Sequence, residues 1–448
     1  MWCRSMPASH FLYPNTTMNY EETIDYLYRC VPMFQNVGAG AYKEGLYNTI
    51  CLDNHFGNPH KHFMTIHVAG TNGKGSCSHS LAAILQKQGY KTGLYTSPHL
   101  VDFRERIRVN GECVSKQWVV DFVEREKSFF EPLRPSFFEL TTAMAFKYFA
   151  EQKVDIAVIE VGLGGRLDCT NIISPVLSVI TNISLDHTQF LGNTLAQIAG
   201  EKAGIIKPAT PVVIGSYNDE TRPVFEKVAA ANKSPRIFAQ DNMEVISSDP
   251  IDTGGRKYVT KNFGEFVGEL GGDCQVQNTN TILNAVKVLL ERDIIKDKAL
   301  VTPALKDLCE TTGLMGRWQQ VGNNPRIICD TGHNPDAWNY ISRQLATIKC
   351  KKMRIVFGMV DDKDFHTVMQ MLPKDAVYYF TKADSHRAVD ENVIAATGSE
   401  MGLKGSCYPT VREAAEAAVK DSSADDFVYV GGSSYVVADY LAYLNKIL

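Results

Sequence analysis

The chain has 448 residues, 44% of them hydrophobic and 21% charged, with a formal net charge of -4. That length allows two domains with full cores, and the composition is that of an ordinary soluble globular protein. No like-charged block supports a nucleic-acid or acidic-lipid partner, no apolar run is long enough to cross a bilayer, and eleven cysteines without a C-x-x-C pair read as reduced thiols of the cytoplasm.

Residues 1–17, MWCRSMPASHFLYPNTT, lack the apolar centre of a signal peptide. They read as a disordered tail, or as residues upstream of a true start at Met18, where a helix-like stretch opens. His55, His60 and His62 crowd one short segment, but Gly57 and Pro59 mark a loop there and no second cluster flanks it at zinc-ligand spacing. From about Thr65 to Gly215 apolar strands alternate with amphipathic helices. FMTIHVAG (63–70) reads as a strand and SCSHSLAAILQKQG (76–89) as a helix. VDIAVIEVG (154–162) and PVLSVITNI (175–183) are continuous apolar runs, as strands covered on both faces require. The pattern predicts an α/β fold with a mostly parallel sheet. Residues 216–275 are polar, with glycine-rich stretches TGGRKYVT and FGEFVGELGG that predict hairpins at a sheet edge, and a helix is expected over 279–292. A second α/β pattern opens near Arg326, with strands RIICD, MRIVFGM, AVYYFT and FVYVGG and helices PDAWNYISRQL and VREAAEAAVK between them. The boundary falls near Gly313. It gives a phosphate-loop domain over 18–312 and a smaller Rossmann-like α/β domain over 313–448, with a site in the cleft between them. No zipper or symmetric repeat is visible, so a monomer is expected.

The strongest local motif is Gly70-Thr71-Asn72-Gly73-Lys74-Gly75-Ser76, between a predicted strand and a predicted helix. Glycines at these positions let the backbone turn tightly and aim amides at phosphate oxygens, at a helix N-terminus with partial positive charge. Lys74 can reach the terminal phosphates of a nucleotide and Ser76 can ligate Mg²⁺. The spacing departs from G-x-x-x-x-G-K-[ST]: position 68 is valine, and Gly75 separates Lys74 from Ser76. A glycine-rich turn of no special function is the rival reading. Glu160 ends the apolar strand VDIAVIE and so points into the cleft, or else pairs with a neighbouring cation. His187 follows the next strand in SLDHT, where a structural role competes with a ligand role. Lys202, in AGEKAGIIKP, reads by composition alone as a solvated lysine on a helix.

GTNGKGS resembles the phosphate loop of the Mur ligase superfamily. TSPHL (96–100), FRERI (103–107), FFELTT (137–142), EVGLGGRLDCTN (160–171), ITNISLDHTQFLGNTLAQIAGEKAGIIKP (180–208), GRWQ (316–319), DTGHNP (330–335) and GGSSY (431–435) follow in the order of its folylpolyglutamate synthetase/dihydrofolate synthase branch. The resemblance implies an ATP- and Mg²⁺-dependent ligase that joins a dihydropteroate or folate carboxylate to L-glutamate through an acyl-phosphate, with both reactions in one chain. It implies Ser76, Glu160, His187 and Lys202 around magnesium, with Lys202 carbamylated. It implies that Phe138 and Asp168 contact the pterin, and that Ser97, Pro98, His99 and Arg104 lie on loops lining the folate cleft. Arg317 is implied at the ATP phosphates, Asp330 at the ribose and Asn278 toward the adenine. His333 and Ser433 are implied at the glutamate or the nucleotide, where the usual D-G-A-H-N-P is D-T-G-H-N-P. The catalytic set is then Lys74, Lys202, His333 and Arg317. Three rivals remain: tail extension of tetrahydrofolate alone, a cell-wall precursor ligase on the same scaffold, and a nucleotide-dependent switch.

Overall fold

The computed structural model describes residues 18–30, 45–252 and 254–447; the expected tail, 1–17, lies outside them. The first sheet contains β1 (Met64–Ala69), β2 (Thr92–Tyr95), β3 (Ile107–Val109), β4 (Glu112–Cys113), β5 (Ile156–Glu160), β6 (Leu177–Ile180), β7 (Val212–Ile214) and β8 (Arg236–Phe238), in the order β4-β3-β2-β5-β1-β6-β7-β8. All neighbours pair in parallel except β2–β3 and β3–β4. The central strands are covered on both faces, which is why they read as unbroken apolar runs. On one face Ile66, Val68, Ile156, Val158 and Val179 pack against the helices α1 (Lys74–Lys87) and α4 (Gln275–Glu291). On the other, Ala157 and Ile159 meet α2 (Phe137–Glu151), while Ala69, Ile180 and Ile214 meet α3 (Leu195–Ala203). Helix α2 starts at a capping box, in which Ser136 and Glu139 each accept from the other's amide.

The glycine-rich stretch forms hairpins, as expected, but in a sheet of their own rather than in the first sheet. Its strands β9 (Val245–Pro250), β10 (Arg256–Thr260) and β11 (Glu265–Gly268) make a separate antiparallel sheet, ordered β11-β10-β9. Tyr258 and Phe266 give that sheet an apolar side that joins the core beside α4. Glycine content revealed the turns but not which element the sheet would cover.

The third sheet contains β12 (Gln319–Asn323), β13 (Arg326–Asp330), β14 (Met353–Phe357), β15 (Val377–Thr381), β16 (Lys404–Tyr408) and β17 (Phe427–Gly431), ordered β12-β13-β17-β14-β15-β16. It is parallel except for β12, the short antiparallel edge. One face packs Trp338, Ile341 and Leu345 of α5 (Pro335–Thr347), and the other packs Val436, Val437 and Tyr440 of α6 (Ser434–Ile447). No helix among the described residues is long and apolar enough to cross a membrane.

Two histidines are enclosed in the first core. His67 on β1 and His79 on α1 each make one hydrogen bond, to Thr170 and Thr312 at 2.8 Å, and burial pushes both rings down to about 3 from 6.5. A folded-state value below the unfolded one means their contribution is full above about pH 6.5 and is lost as the pH falls toward 3. Each ring then costs about 1.4 kcal/mol per pH unit. The thermal midpoint is therefore expected to fall steadily between pH 7 and pH 5 in low-salt buffer, with a shallower fall in His79→Asn. A midpoint that stays flat over that interval in differential scanning calorimetry would contradict this burial of neutral rings.

Candidate active site

The register of the first sheet brings three strand ends together. Val68 pairs with Glu160, and Ala69 pairs with Ile180, so the loop after β1 lies between the ends of β5 and β6. Gly70 (φ 147°) lies so close to β6 that a Cβ there would stand 1.8 Å from Thr181 Oγ1. Gly73 (φ 82°) caps α1, and a Cβ there would stand 2.3 Å from Asn278 Oδ1. The amides of Thr71 and Asn72 donate to the carbonyl and side-chain oxygens of Asn182, at 3.0 and 2.8 Å. Asn278 lies inside α4 rather than before it, bonded to Gln275.

Two lysines converge on the loop. Lys74 Nζ donates to the Gly70 and Thr71 carbonyls at 3.1 Å, and Lys202 Nζ donates to the Gly70 carbonyl at 2.9 Å. Burial, reinforced by Lys74, pushes Lys202 down to about 7, so a large fraction is neutral amine near neutral pH. Lys202 is thus not a solvated lysine. Burial also lowers Lys74, opposed by Glu160 and Asp186.

Glu160 is 3% exposed and its Oε2 has no hydrogen-bond partner among the described residues. Burial pushes it up to about 7, against the pull of Lys74, Arg317 and the Ser97 amide. A Cβ on Gly75 would lie 3.3 Å from Arg317 Nη2 and 4.0 Å from Glu160 Oε2, so glycine there admits the arginine that precedes β12 of the third sheet. Ser76 is buried and its hydroxyl accepts from Gln275 at 3.2 Å. His187 sits at φ 49°, and burial followed by Lys363 pushes its ring down to about 3. An orphaned carboxylate oxygen and a neutral imidazole beside a phosphate loop fit a divalent cation. Among the described residues no three His, Cys, Asp or Glu form a metal-type group; the expected set contains only two of those types, Glu160 and His187.

A cavity of about 290 Å³ opens in front of the loop. Of the residues singled out from sequence, Gly70, Thr71, Lys74, Ser97, Pro98, Phe138, Asp168, His187, Lys202, His333 and Ser433 line it. Gly75, Glu160 and Arg317 line an adjoining cavity that shares Ser97, Pro98 and His333. The Phe138 ring lies over the backbone of Gly162, where a Cβ would meet it at 2.4 Å, and it also packs against the core beside α2. Asp168 is buried; its Oδ2 accepts from the Leu163 amide at 2.8 Å.

Other expected residues lie elsewhere. Arg104 pairs with Asp102 beside Tyr20 and lines neither cavity. Arg106, two residues on and passed over in the sequence, lines the main cavity instead: it is buried, donates from Nε to His99 Nδ1 at 2.8 Å and stands 5.3 Å from the Phe137 ring. Both arginines lie on the 3-10 turn Phe103–Arg106, where residues two apart point to different sides, and Arg106 directly precedes the buried strand β3. His99 is thus a buried acceptor behind the wall. Asp330 accepts from the amides of Trp318 and Gly332, at 2.7 and 2.8 Å, and so holds its own turn. Of the crowded histidines, His55 is bonded to Glu126 and His60 to Asp53, at 2.9 and 2.8 Å.

The sequence also gave no weight to Asp186. Its carboxylate takes Lys363 Nζ at 2.5 Å and Asn334 Nδ2 at 3.3 Å, with His333 Nε2 at 3.8 Å, all from the second α/β unit. Despite burial, the hydrogen bond from His333 and the Lys363 ammonium hold it well below the usual carboxylate range. Asn72 of the loop adds bonds to Asn334 and Asp336, at 3.3 and 2.7 Å.

Two domain families match the chain: the Mur ligase middle domain over 68–279 and the Mur ligase glutamate ligase domain over 316–434. The chain thus has the architecture of a Mur-type ligase. A Bacillus subtilis protein named dihydrofolate synthase/folylpolyglutamate synthase is 34% identical over 363 residues, 77% of this chain and 83% of that one. A Haloferax volcanii protein named probable bifunctional folylpolyglutamate synthase/dihydropteroate synthase is 32% identical over 94% of this chain, which spans about half (50%) of that relative's length. The structure of E. coli FolC in complex with DHPP and ADP superposes with a TM-score of 0.80 at 28% identity, covering 97% of this chain and 100% of that one. The chain belongs to the dihydrofolate synthase/folylpolyglutamate synthase family.

Removing Asp186 leaves Lys363 enclosed without its counter-charge. Asp186→Ala is expected to lose about 3–5 kcal/mol of unfolding free energy, and adding Lys363→Met should restore part of it. Equal losses in the single and double variants, measured by urea denaturation, would show that the pair is not coupled.

Proposed function

We propose that this chain is an ATP- and Mg²⁺-dependent ligase that forms an amide between a dihydropteroate or reduced-folate carboxylate and L-glutamate, serving as both dihydrofolate synthase and folylpolyglutamate synthase. The observation that carries it is one cavity bounded by three kinds of surface: the two-lysine phosphate loop, a flat-ring site at Phe138 and Asp168, and His333 and Ser433 on the opposite wall. The assignment divides the chain into a phosphate-loop domain (18–312) and a glutamate ligase domain (313–448). It also takes the enzyme to be a cytoplasmic monomer acting on small molecules.

In this reading the loop amides and Lys74 hold the β- and γ-phosphates, and Arg317 reaches them across Gly75. Ser76, Glu160 and His187 would hold Mg²⁺, which offsets phosphate charge when bound. Lys202, half-neutral near pH 7, can add CO₂ and release a proton to become a carbamate, replacing a cation by an anion for a second metal. Phe138 stacks on the pterin and Asp168 accepts from its amino-pyrimidine edge. Asp330 and Asn278 are assigned to the ribose and adenine sides, and Ser97, Pro98, His99 and Arg106 to the wall along the acceptor.

An acceptor carboxylate oxygen attacks the γ-phosphorus, giving an acyl-phosphate and ADP. The glutamate amine then attacks the acyl carbon and phosphate leaves with the acyl C–O bond broken. The amine's proton passes to solvent or to His333. The Thr331 carbonyl can only accept, so His333 Nδ1 carries the hydrogen of their 3.0 Å bond. Nε2 is then left to take a proton, with Asp186 3.8 Å away to stabilise the cation.

Phosphate release from ATP, Mg²⁺ and L-glutamate should occur with dihydropteroate and with tetrahydrofolate, each dependent on glutamate. Lys74→Ala should lower both rates by at least a hundredfold. Release with tetrahydrofolate alone would restrict the enzyme to tail extension, and release with neither acceptor would overturn the folate assignment. Oxygen-18 from the acceptor carboxylate should appear in the phosphate; its absence would exclude the acyl-phosphate.

A further inference from the structure

His67 lies on the central strand β1, 0% exposed, with its neighbours Ile66 and Val68 in the apolar core. A polar ring there is costly unless bonded. Among the described residues the ring's one hydrogen-bond partner is Thr170 Oγ1, at 2.8 Å from Nε2, and Nδ1 has none. Thr170, also 0% exposed, stands 2.5 Å by Oγ1 from Asp168 Oδ1, which also accepts from the Thr170 amide at 3.0 Å. The chain of contacts runs from the middle of the sheet to the carboxylate that lines the cavity.

The direction of these bonds follows from counting protons. A hydroxyl has one hydrogen to give. With Asp168 ionised, that hydrogen must go to the carboxylate, so His67 must donate from Nε2. The atom left unpartnered is then the Nδ1 lone pair, a cheaper orphan than a buried N–H. The opposite direction would need a protonated Asp168 and would strand an Nδ1–H in the core.

We propose that Thr170 and His67 are positioning residues for the acceptor substrate: His67 orients the Thr170 hydroxyl, and that hydroxyl fixes the Asp168 carboxylate as an ionised acceptor facing the pterin. This rests on the folate reading above, in which Asp168 meets the amino-pyrimidine edge. Both oxygens of Asp168 are otherwise tied only to backbone amides, which set its place but leave its charge less compensated. Neither residue touches the substrate; both act through Asp168.

The test is direct titration of dihydropteroate, with an ATP analogue titrated in parallel, followed by kinetics. Thr170→Val, nearly isosteric, is expected to weaken dihydropteroate binding at least tenfold while leaving the ATP-analogue Kd within twofold. The KM for dihydropteroate should rise likewise, with kcat at saturation within threefold. Thr170→Ser should restore binding to within threefold of the wild type, and His67→Leu should weaken it severalfold. Unchanged dihydropteroate binding in Thr170→Val, or a parallel loss of both ligands, would overturn the positioning role alone. A wild-type protein that binds the ATP analogue but no dihydropteroate would overturn the folate reading and this inference with it.

Discussion

One backbone carbonyl, that of Gly70, accepts hydrogen bonds from two lysines, Lys202 buried and Lys74 half-buried, and much of the site follows from that crowding. Two ammonium groups on one oxygen repel each other and are poorly hydrated. The protein offsets this with carboxylates on either side, Glu160 at the end of β5 and Asp186 beyond β6, and by letting Lys202 lose its proton easily. A chain that concentrates positive charge so closely around a glycine turn is prepared for a polyanion. The parallel sheet makes this possible, because it delivers three strand ends to one edge without any of them needing to turn back.

The second α/β unit completes what the first cannot. Arg317, His333, Lys363 and Ser433 come from loops at the ends of its own strands and face the first sheet across the cavity. Asp186 binds these loops to the first unit through charge, while Asn72 does so through amide hydrogen bonds. Around the phosphate loop the join is polar, while Leu100 of the first unit packs against the apolar core of the second. The polar part therefore depends on geometry that only a folded loop can present.

Much of the fold was legible because apolar runs and glycine turns report strand burial directly. β1, β5, β6 and β13 were evident this way, and the helix 411–420 appears with the limits its sequence suggested. The hairpins over 245–268 were legible but not the sheet they form, because turn chemistry says where a chain reverses, not what it then covers. In the site, positions adjacent to glycine were readable, since a Cβ clash at Gly70, Gly73 or Gly162 explains the residue by itself. Side chains that act through a partner were not. Arg106 and Arg104 are identical in type and two apart, and only the turn of the chain into β3 sends one inward. Asp186 gains its meaning from Lys363, 177 residues further along.

Asn72 hydrogen-bonds simultaneously to its own sheet, through its amide to Asn182, and to the opposite unit, through its side chain to Asn334 and Asp336. A residue in that position makes the shape of the loop and the apposition of the two units a single thermodynamic variable. In the proposed ligase, any free energy a phosphate gained by ordering the loop would be shared with the apposition of the two units, and that apposition would return the same amount to phosphate affinity. The reciprocity links occupancy at one end of the cavity to assembly of the wall at the other, through the amide side chain of a single residue.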